Sequence, residues 1–285
     1  MNTREKWDLA GLRELKRQGR KFSVLTCYDA PTAQLMQSSG VDMLLVGDTA
    51  GEVLLGLEST RGTPVEYMLA ITAAVRRGAP RTFVMADLPY ACRQEGDQAA
   101  VAWCRRFMEE TGCDAVKVEV TPGQTGLIAG LRAAGVPSVA HLGLLPQTAE
   151  LTGGYRAQGR DAEGALALME CARQMESAGA DLLLLEAVAS EVAAEITAHS
   201  TVPVIGCVAG PHCDGTVVVL HDMLGIDVGH PPRAVKQYGD LTAALQAAFA
   251  AYARDVRDGI FPDEATSIHM RSGEFDRLAA LTEGA

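Results

Sequence analysis

Three stretches of the chain repeat one pattern: Ser39–Asp48 (SGVDMLLVGD), Thr111–Glu119 (TGCDAVKVE) and Ser177–Glu186 (SAGADLLLLE). Each has a small residue and a glycine, one further residue, an aspartate, a short apolar run and a terminal acid. A glycine placed so supplies the left-handed cap that stops a helix. An apolar run without alternation suits a parallel strand covered on both faces. Each stretch therefore reads as a helix end feeding a buried strand. The acid at the far end needs a reason, because a carboxylate buried without a partner is costly or changes its protonation state.

Four more runs read as strands: Phe22–Asp29, Thr82–Tyr90, Pro137–Leu144 and Val202–Gly210. Between the seven lie stretches with apolar residues at three- and four-residue steps, which read as helices. Such alternation implies βαβ units and a parallel sheet. An eighth strand has two rivals, Thr216–Leu224 and Arg233–Tyr238. An α/β (β/α)8 TIM barrel is favoured over an open doubly wound sheet. Polar groups end many strands here, whereas an open sheet gathers its site at one switch point. The 285 residues suit one barrel domain over 1–285, since such barrels take about 250. An N-terminal helix precedes the barrel. The tail from about Pro262 is polar and is expected to be partly disordered.

A formal net charge of −11 argues against nucleic-acid binding and against an anionic membrane surface. No run approaches the roughly 18–20 apolar residues of a membrane span. The charged start shows no apolar leader segment. Seven cysteines, odd in number and without a CxxC pair, point to free thiols in a cytoplasmic protein. A zinc site at Cys207, His212 and Cys213 is the lesser alternative.

The strands end on Asp48, Asp87, Lys117 with Glu119, His141 and Glu186. In a barrel these ends converge on one face, where active sites form. Any one acid after a strand reads first as a helix cap or solvated loop residue. A lone His141 reads first as a satisfied core histidine. Five strands ending alike shift that balance. Asp48, Asp87 and Glu119 would repel one another without a cation, and an all-oxygen set suits Mg2+. Period two puts Lys117 on the face of Glu119. Asp29 reads as a cap. Leu151–Arg160 (LTGGYRAQGR) is a candidate mobile loop, with Tyr155 and Arg156 able to close over a ligand. Gly206–Gly215 is a candidate anion-binding loop.

The motifs LLVGDTAG, MADLPY, VKVE, AHLGLLPQ, GGYRAQGR, LLLLEAV and CDGTVVVLHDMLGI occur in this order. They resemble the ketopantoate hydroxymethyltransferase family from about Lys16 to Pro262. The resemblance implies a (β/α)8 barrel of the phosphoenolpyruvate/pyruvate type, a homo-oligomer (often a decamer) and a Mg2+ cofactor. It implies transfer of a hydroxymethyl group from 5,10-methylenetetrahydrofolate to 2-oxoisovalerate, the first committed step of pantothenate synthesis. By motif, Asp48, Asp87 and Glu119 match the metal-site acids. Asp48, Thr49, Asp87 and Lys117 match the oxo-acid contacts. Glu186 matches the proton acceptor, and His141 a pocket histidine. The implied chemistry is a metal-stabilised enolate with Lys117 adding positive charge. Glu186 would remove the C3 proton, best if burial raises its pKa.

The chain departs from the family pattern at Thr49, Leu57, Val120, Thr121, Leu145 and Val208, with an extra residue near Arg61–Gly62. All are expected beside the pocket. They allow a second reading, a paralogue with another 2-oxo acid or one-carbon donor. A C–C lyase or phosphonomutase of the wider superfamily is a third, though its cysteine-bearing KKCGH-like loop is absent. A catalytically dead structural barrel is the fourth, and the full acid set speaks against it.

Overall fold

The computed structural model describes residues 6–226 and 235–283. Eight parallel strands close into a barrel in chain order: β1 (Phe22–Thr26), β2 (Met43–Val46), β3 (Phe83–Asp87), β4 (Ala115–Glu119), β5 (Ser138–Gly143), β6 (Leu182–Glu186), β7 (Val204–Cys207) and β8 (Gly215–Val218). β8 pairs back to β1. The helices are α1 (Leu9–Arg17), α2 (Ala30–Ser39), α3 (Ala50–Val53), α4 (Val65–Gly78), α5 (Asp97–Thr111), α6 (Thr125–Ala133), α7 (Ala162–Ala178), α8 (Ser190–His199), α9 (Leu220–Leu224), α10 (Leu241–Arg257) and α11 (Glu274–Thr282). Among the described residues no helix is long and apolar enough to cross a membrane.

The eighth strand comes from the first of the two rival segments, whose second half turns into α9. Val235–Tyr238 is irregular, and Arg233 lies outside the described residues. Residues 208–214 join β7 to β8 without a helix. Beyond Pro262 the tail carries α11, and none of that helix is buried.

Strand alternation sorts the apolar residues into two cores. Inward residues such as Val24, Met43, Phe83, Met85, Leu184 and Ile205 fill the barrel, and Leu12 and Leu15 of α1 plug its N-terminal end. Outward residues such as Leu44, Val84, Val118 and Leu183 pack with Met68, Phe107, Leu131 and Met175 of the helices.

The repeated motif is explained at both ends. Gly40, Gly112 and Gly179 cap α2, α5 and α7 in the left-handed conformation. The aspartate after each glycine closes the bottom of the barrel. Asp42, Asp114 and Asp181 accept the backbone N–H of Ser23, Val84 and Ser138, and Asp214 accepts that of Val204. Each even-numbered strand thus holds the start of the odd-numbered strand before it. The N-terminal segment reaches the same four carboxylates through Trp7, Lys6, Arg13 and Lys16. These buried or half-buried acids are structural, each holding the start of a strand.

Candidate active site

Parallel register brings the terminal side chains together. Asp87 stands opposite Lys117, Glu119 opposite His141, and Glu186 opposite Cys207. Asp48 lies just beyond β2. With Thr49 they line a cavity of about 80 Å3 at the C-terminal end of the barrel. All seven sequence-identified site residues are thus brought to one place. Gly47 keeps the cavity open: a Cβ there would lie 2.9 Å from Thr49 Oγ1 and 3.6 Å from Asp87 Oδ2.

One cation and three carboxylates dominate the floor. Lys117 Nζ lies 2.9 Å from Asp87 Oδ1. Burial alone would lower the Lys117 pKa, but Asp87, Asp48 and Glu119 outweigh it and raise it. The lysine therefore stays charged. Asp87 Oδ2 accepts the Asp48 backbone N–H at 3.0 Å. Burial, then the neighbouring Asp87 and Glu119 charges, push the Asp48 carboxyl well above its usual range despite Lys117 and Gln147. Burial also raises Glu119, against the pull of His141 and Lys117.

A row of close polar contacts runs along the other wall. Lys117 Nζ and His141 Nδ1 are 3.2 Å apart. An ammonium can only donate, so Nδ1 accepts and the ring proton sits on Nε2. That nitrogen lies 3.2 Å from Glu186 Oε2. Glu186 is less enclosed than expected: its side chain is 22% exposed, against 1% for His141. The exposed Tyr155 has its phenol pushed up to about 12 by burial and by the Glu52, Glu186 and Glu150 charges. Its loop is fastened at Gln158, whose N–H donates to Ala187 O and whose carbonyl accepts from Ala189 N.

Gln147 escaped the sequence reading. It is 3% exposed. Its amide donates to Asp48 Oδ2 at 2.8 Å and its backbone N–H to Glu119 Oε1 at 3.1 Å. Tyr28 was missed too; its hydroxyl lies 2.8 Å from Thr49 Oγ1. The threonine hydroxyl is thereby fixed at the cavity edge.

The remaining departures do not line the small cavity. Val120 is buried in the outer core instead. Thr121 and Leu145 line a separate cavity of about 320 Å3, bounded also by Tyr90, Arg93, Glu119 and Gln147. Leu57 and Val208 are exposed. Arg61, beside the extra residue, stacks on Tyr90 and pairs with Glu150. The Gly206–Gly215 loop presents carbonyls rather than an anion cradle: Lys21 Nζ donates to His212 O and Cys213 O. The cysteines are free thiols.

The oxygen donors suit a hard cation such as Mg2+. Glu119 Oε2 is buried without a hydrogen-bond partner, as a coordinating oxygen would be. Among the described residues no group of three or more His, Cys, Asp or Glu side chains is arranged to hold a metal. Mg2+ commonly keeps waters and takes only one or two carboxylates along with substrate oxygens. The acids present fit that mode.

Residues 6–264 match the family profile described as ketopantoate hydroxymethyltransferase. The 3-methyl-2-oxobutanoate hydroxymethyltransferase of Geobacillus kaustophilus is 43% identical, over 95% of this chain and 97% of its own. That of Halalkalibacterium halodurans is 41% identical, over 96% and 99%. Among solved structures, a phosphonopyruvate hydrolase superposes with a TM-score of 0.58 at 16% identity, over 96% of this chain and 98% of that one. A 2,3-dimethylmalate lyase of the PEP mutase/isocitrate lyase superfamily gives 0.56 at 18%, over 97% and 95%. At such identities these two speak for the barrel fold alone. On the whole-length match to the profile and to both transferases, the chain belongs to the ketopantoate hydroxymethyltransferase family, a family of transferases.

Proposed function

We propose that the chain transfers a hydroxymethyl group from 5,10-methylenetetrahydrofolate to 2-oxoisovalerate, giving ketopantoate for pantothenate synthesis. The observation that carries this reading is the small cavity, with a charged lysine on one side and a partly exposed glutamate on the other. Its volume of about 80 Å3 suits the head of a small oxo acid. The names and identities of the relatives support the substrate.

Lys117 offers positive charge to the carboxylate and keto oxygens of the oxo acid. Asp48, Asp87 and Glu119 are the residues that would hold Mg2+, which would supply further positive charge there and make the C3 proton more acidic. Asp48 and Thr49 fix the acid's position through the Thr49 hydroxyl and the loop that carries it. Glu186 Oε2 takes the C3 proton. His141 Nε2 stands 3.2 Å from that carboxylate, and Lys117 lies against the other ring nitrogen. Water adds to the methylene carbon of the donor, both C–N bonds break with their nitrogens taking the water's protons, and tetrahydrofolate leaves formaldehyde behind. The C3 carbanion then adds to the formaldehyde carbonyl carbon, and the resulting alkoxide takes back the proton held by Glu186.

The larger reactant needs more room than the small cavity gives. The second cavity shares Glu119 with the first and is large enough to admit part of it. Thr121 and Leu145 stand there. Their positions favour, as the alternative, a changed one-carbon donor over a changed oxo acid. The same reading makes the protein a cytoplasmic homo-oligomer. Its seven unpaired cysteines support the first, and the uncovered apolar side of α10 the second.

Solvent-deuterium exchange at C3, measured over a panel of 2-oxo acids with and without Mg2+ and methylenetetrahydrofolate, tests the reading. Exchange with 2-oxoisovalerate that needs Mg2+, and ketopantoate formation only with the folate, are expected. Exchange without product in the folate arm would favour the changed donor. No exchange with 2-oxoisovalerate under any condition would overturn the proposal.

A further inference from the structure

Gln147 joins three parts of the site from a loop that follows β5. Its side-chain amide donates to Asp48 Oδ2 at 2.8 Å and to Leu88 O at 2.9 Å. Its backbone N–H donates to Glu119 Oε1 at 3.1 Å. Asp48 follows β2, Leu88 follows β3, and Glu119 ends β4. One residue thus holds two carboxylates that stand on either side of β3. The amide orientation is fixed by these partners. Flipped, its oxygen would face Asp48 Oδ2 and Leu88 O, and acceptors would meet acceptors.

The arrangement serves the carboxylates more than the fold. Gln147 Oε1 is buried without a hydrogen-bond partner in the protein. Burying an unfilled acceptor is unfavourable, and an apolar side chain of the same length would avoid it. What such a side chain cannot do is donate to Asp48. Hydrogen bonds to an ionised carboxylate are short and strong, so the two from Gln147 fix where Asp48 and Glu119 point. The bond to Leu88 O anchors the loop, and with it the backbone N–H aimed at Glu119.

We propose that Gln147 is a positioning residue: it sets Asp48 and Glu119 in the relative placement in which they take a divalent cation. The inference rests on the functional reading above. It adds a residue to that reading, and the reading can stand without it.

Gln147→Met keeps the length of the side chain and removes the side-chain donor to Asp48 and Leu88 O, which leaves the backbone N–H to Glu119 without its anchor. Gln147→Asn keeps an amide but stops one methylene short of Asp48, and serves if the first variant folds poorly. Mn2+ alone is titrated into the full chain, with bound ion read by electron paramagnetic resonance. C3 exchange of 2-oxoisovalerate is followed in parallel over a range of Mn2+. In both variants Mn2+ affinity is expected to fall at least about tenfold, as when groups behind a metal's ligands are removed. Exchange should be lost at low Mn2+ and return at saturating Mn2+. A purely structural role would lower the melting temperature and would not be rescued by the ion. Wild-type binding and exchange, matched within about twofold by a folded Gln147→Met protein, would overturn the role of Gln147 alone. A wild-type protein that neither binds Mn2+ nor exchanges would overturn the functional reading together with it.

Discussion

Glu186 differs from the other acids of the cavity by being reachable. Asp48, Asp87 and Glu119 are each 4% exposed, and all three carry hydrogen bonds or an ion pair that a proton would disturb. Glu186 has solvent on one side and the His141 ring on the other. Glu186→Gln keeps the shape and the contact with His141 but cannot accept a proton. C3 exchange should fall by about 10²–10⁴-fold, the usual worth of a positioned base, while 2-oxo acid binding measured by calorimetry stays close to wild type. Exchange that survives would make another group the base. The buried pair Asp48 and Glu119 carries a different prediction, about stability. Their folded pKa values lie above those of the unfolded chain, 3.8 and 4.5. At low pH both states are protonated and nothing is gained or lost. As pH rises, the unfolded chain releases its protons first, so the folded state is penalised increasingly until its own pKa is passed. A cation binding the ionised pair offsets that penalty. The rise in melting temperature on adding Mg2+ should therefore grow as pH climbs from the unfolded values of 3.8 and 4.5 toward the raised folded ones, and Asp48→Asn should flatten it. An increment that is constant or shrinks with pH would refute this.

At the scale of the element, the strand ends carry strain and the strand starts carry clamps. Ala187 and Val208, directly after β6 and β7, have φ of 48° and 53°. A β-branched residue in that region is an outlier. The left-handed backbone costs an L-residue roughly 1–2 kcal/mol, and a glycine gives back about 0.4–1 kcal/mol through unfolded-chain freedom. Val208→Gly should therefore stabilise the protein by about 1 kcal/mol in chemical denaturation; a loss of stability would show that the valine packs usefully. At the other end, Asp181 accepts Ser138 N–H at 3.1 Å and Arg13 Nη2 at 3.2 Å. Asp181→Ala leaves a strand-start amide without its acceptor, so about 1–3 kcal/mol should be lost, with C3 exchange at low temperature unchanged because the cavity lies at the opposite face. The strands were legible because their apolar runs and glycine caps are local signals, and so were the acids that end them. The β7–β8 connection was not, since a crossover without a helix leaves no periodicity to read. Nor was Gln147, whose partners Asp48 and Glu119 lie 99 and 28 residues away along the chain. Val120 misled for a related reason: the motif places it beside Glu119, but strand alternation turns it into the outer core.

At the scale of the whole molecule, the long helix α10 stands uncovered among the described residues. α10 has no buried residue, yet Leu245, Phe249, Tyr252 and Val256 recur at four- and three-residue steps along it, and each is exposed. That spacing is one face of a helix. A helix keeps such a face for burial, because exposed apolar stripes of this kind are interaction surfaces or aggregation hazards. Within the barrel, the gap between β7 and β8 has no helix and the helix next after β8 is the short α9, and among the described residues α10 buries none of its own side chains. The homo-oligomer of the functional reading provides a cover: the same surface on another copy, brought up by symmetry. Phe249 and Tyr252, 65% and 63% exposed, are the large side chains at the centre of the stripe, where truncation weighs most in an interface. Changing both to glutamate places two charges where a second copy would bury apolar rings. Analytical ultracentrifugation should then find the wild type as an assembly and the Phe249→Glu, Tyr252→Glu protein as a smaller species. Its circular dichroism should be retained, because none of these residues supports the barrel. A wild type that sediments as a single chain at micromolar concentration would remove the homo-oligomer from the reading, and the stripe would then need a different partner.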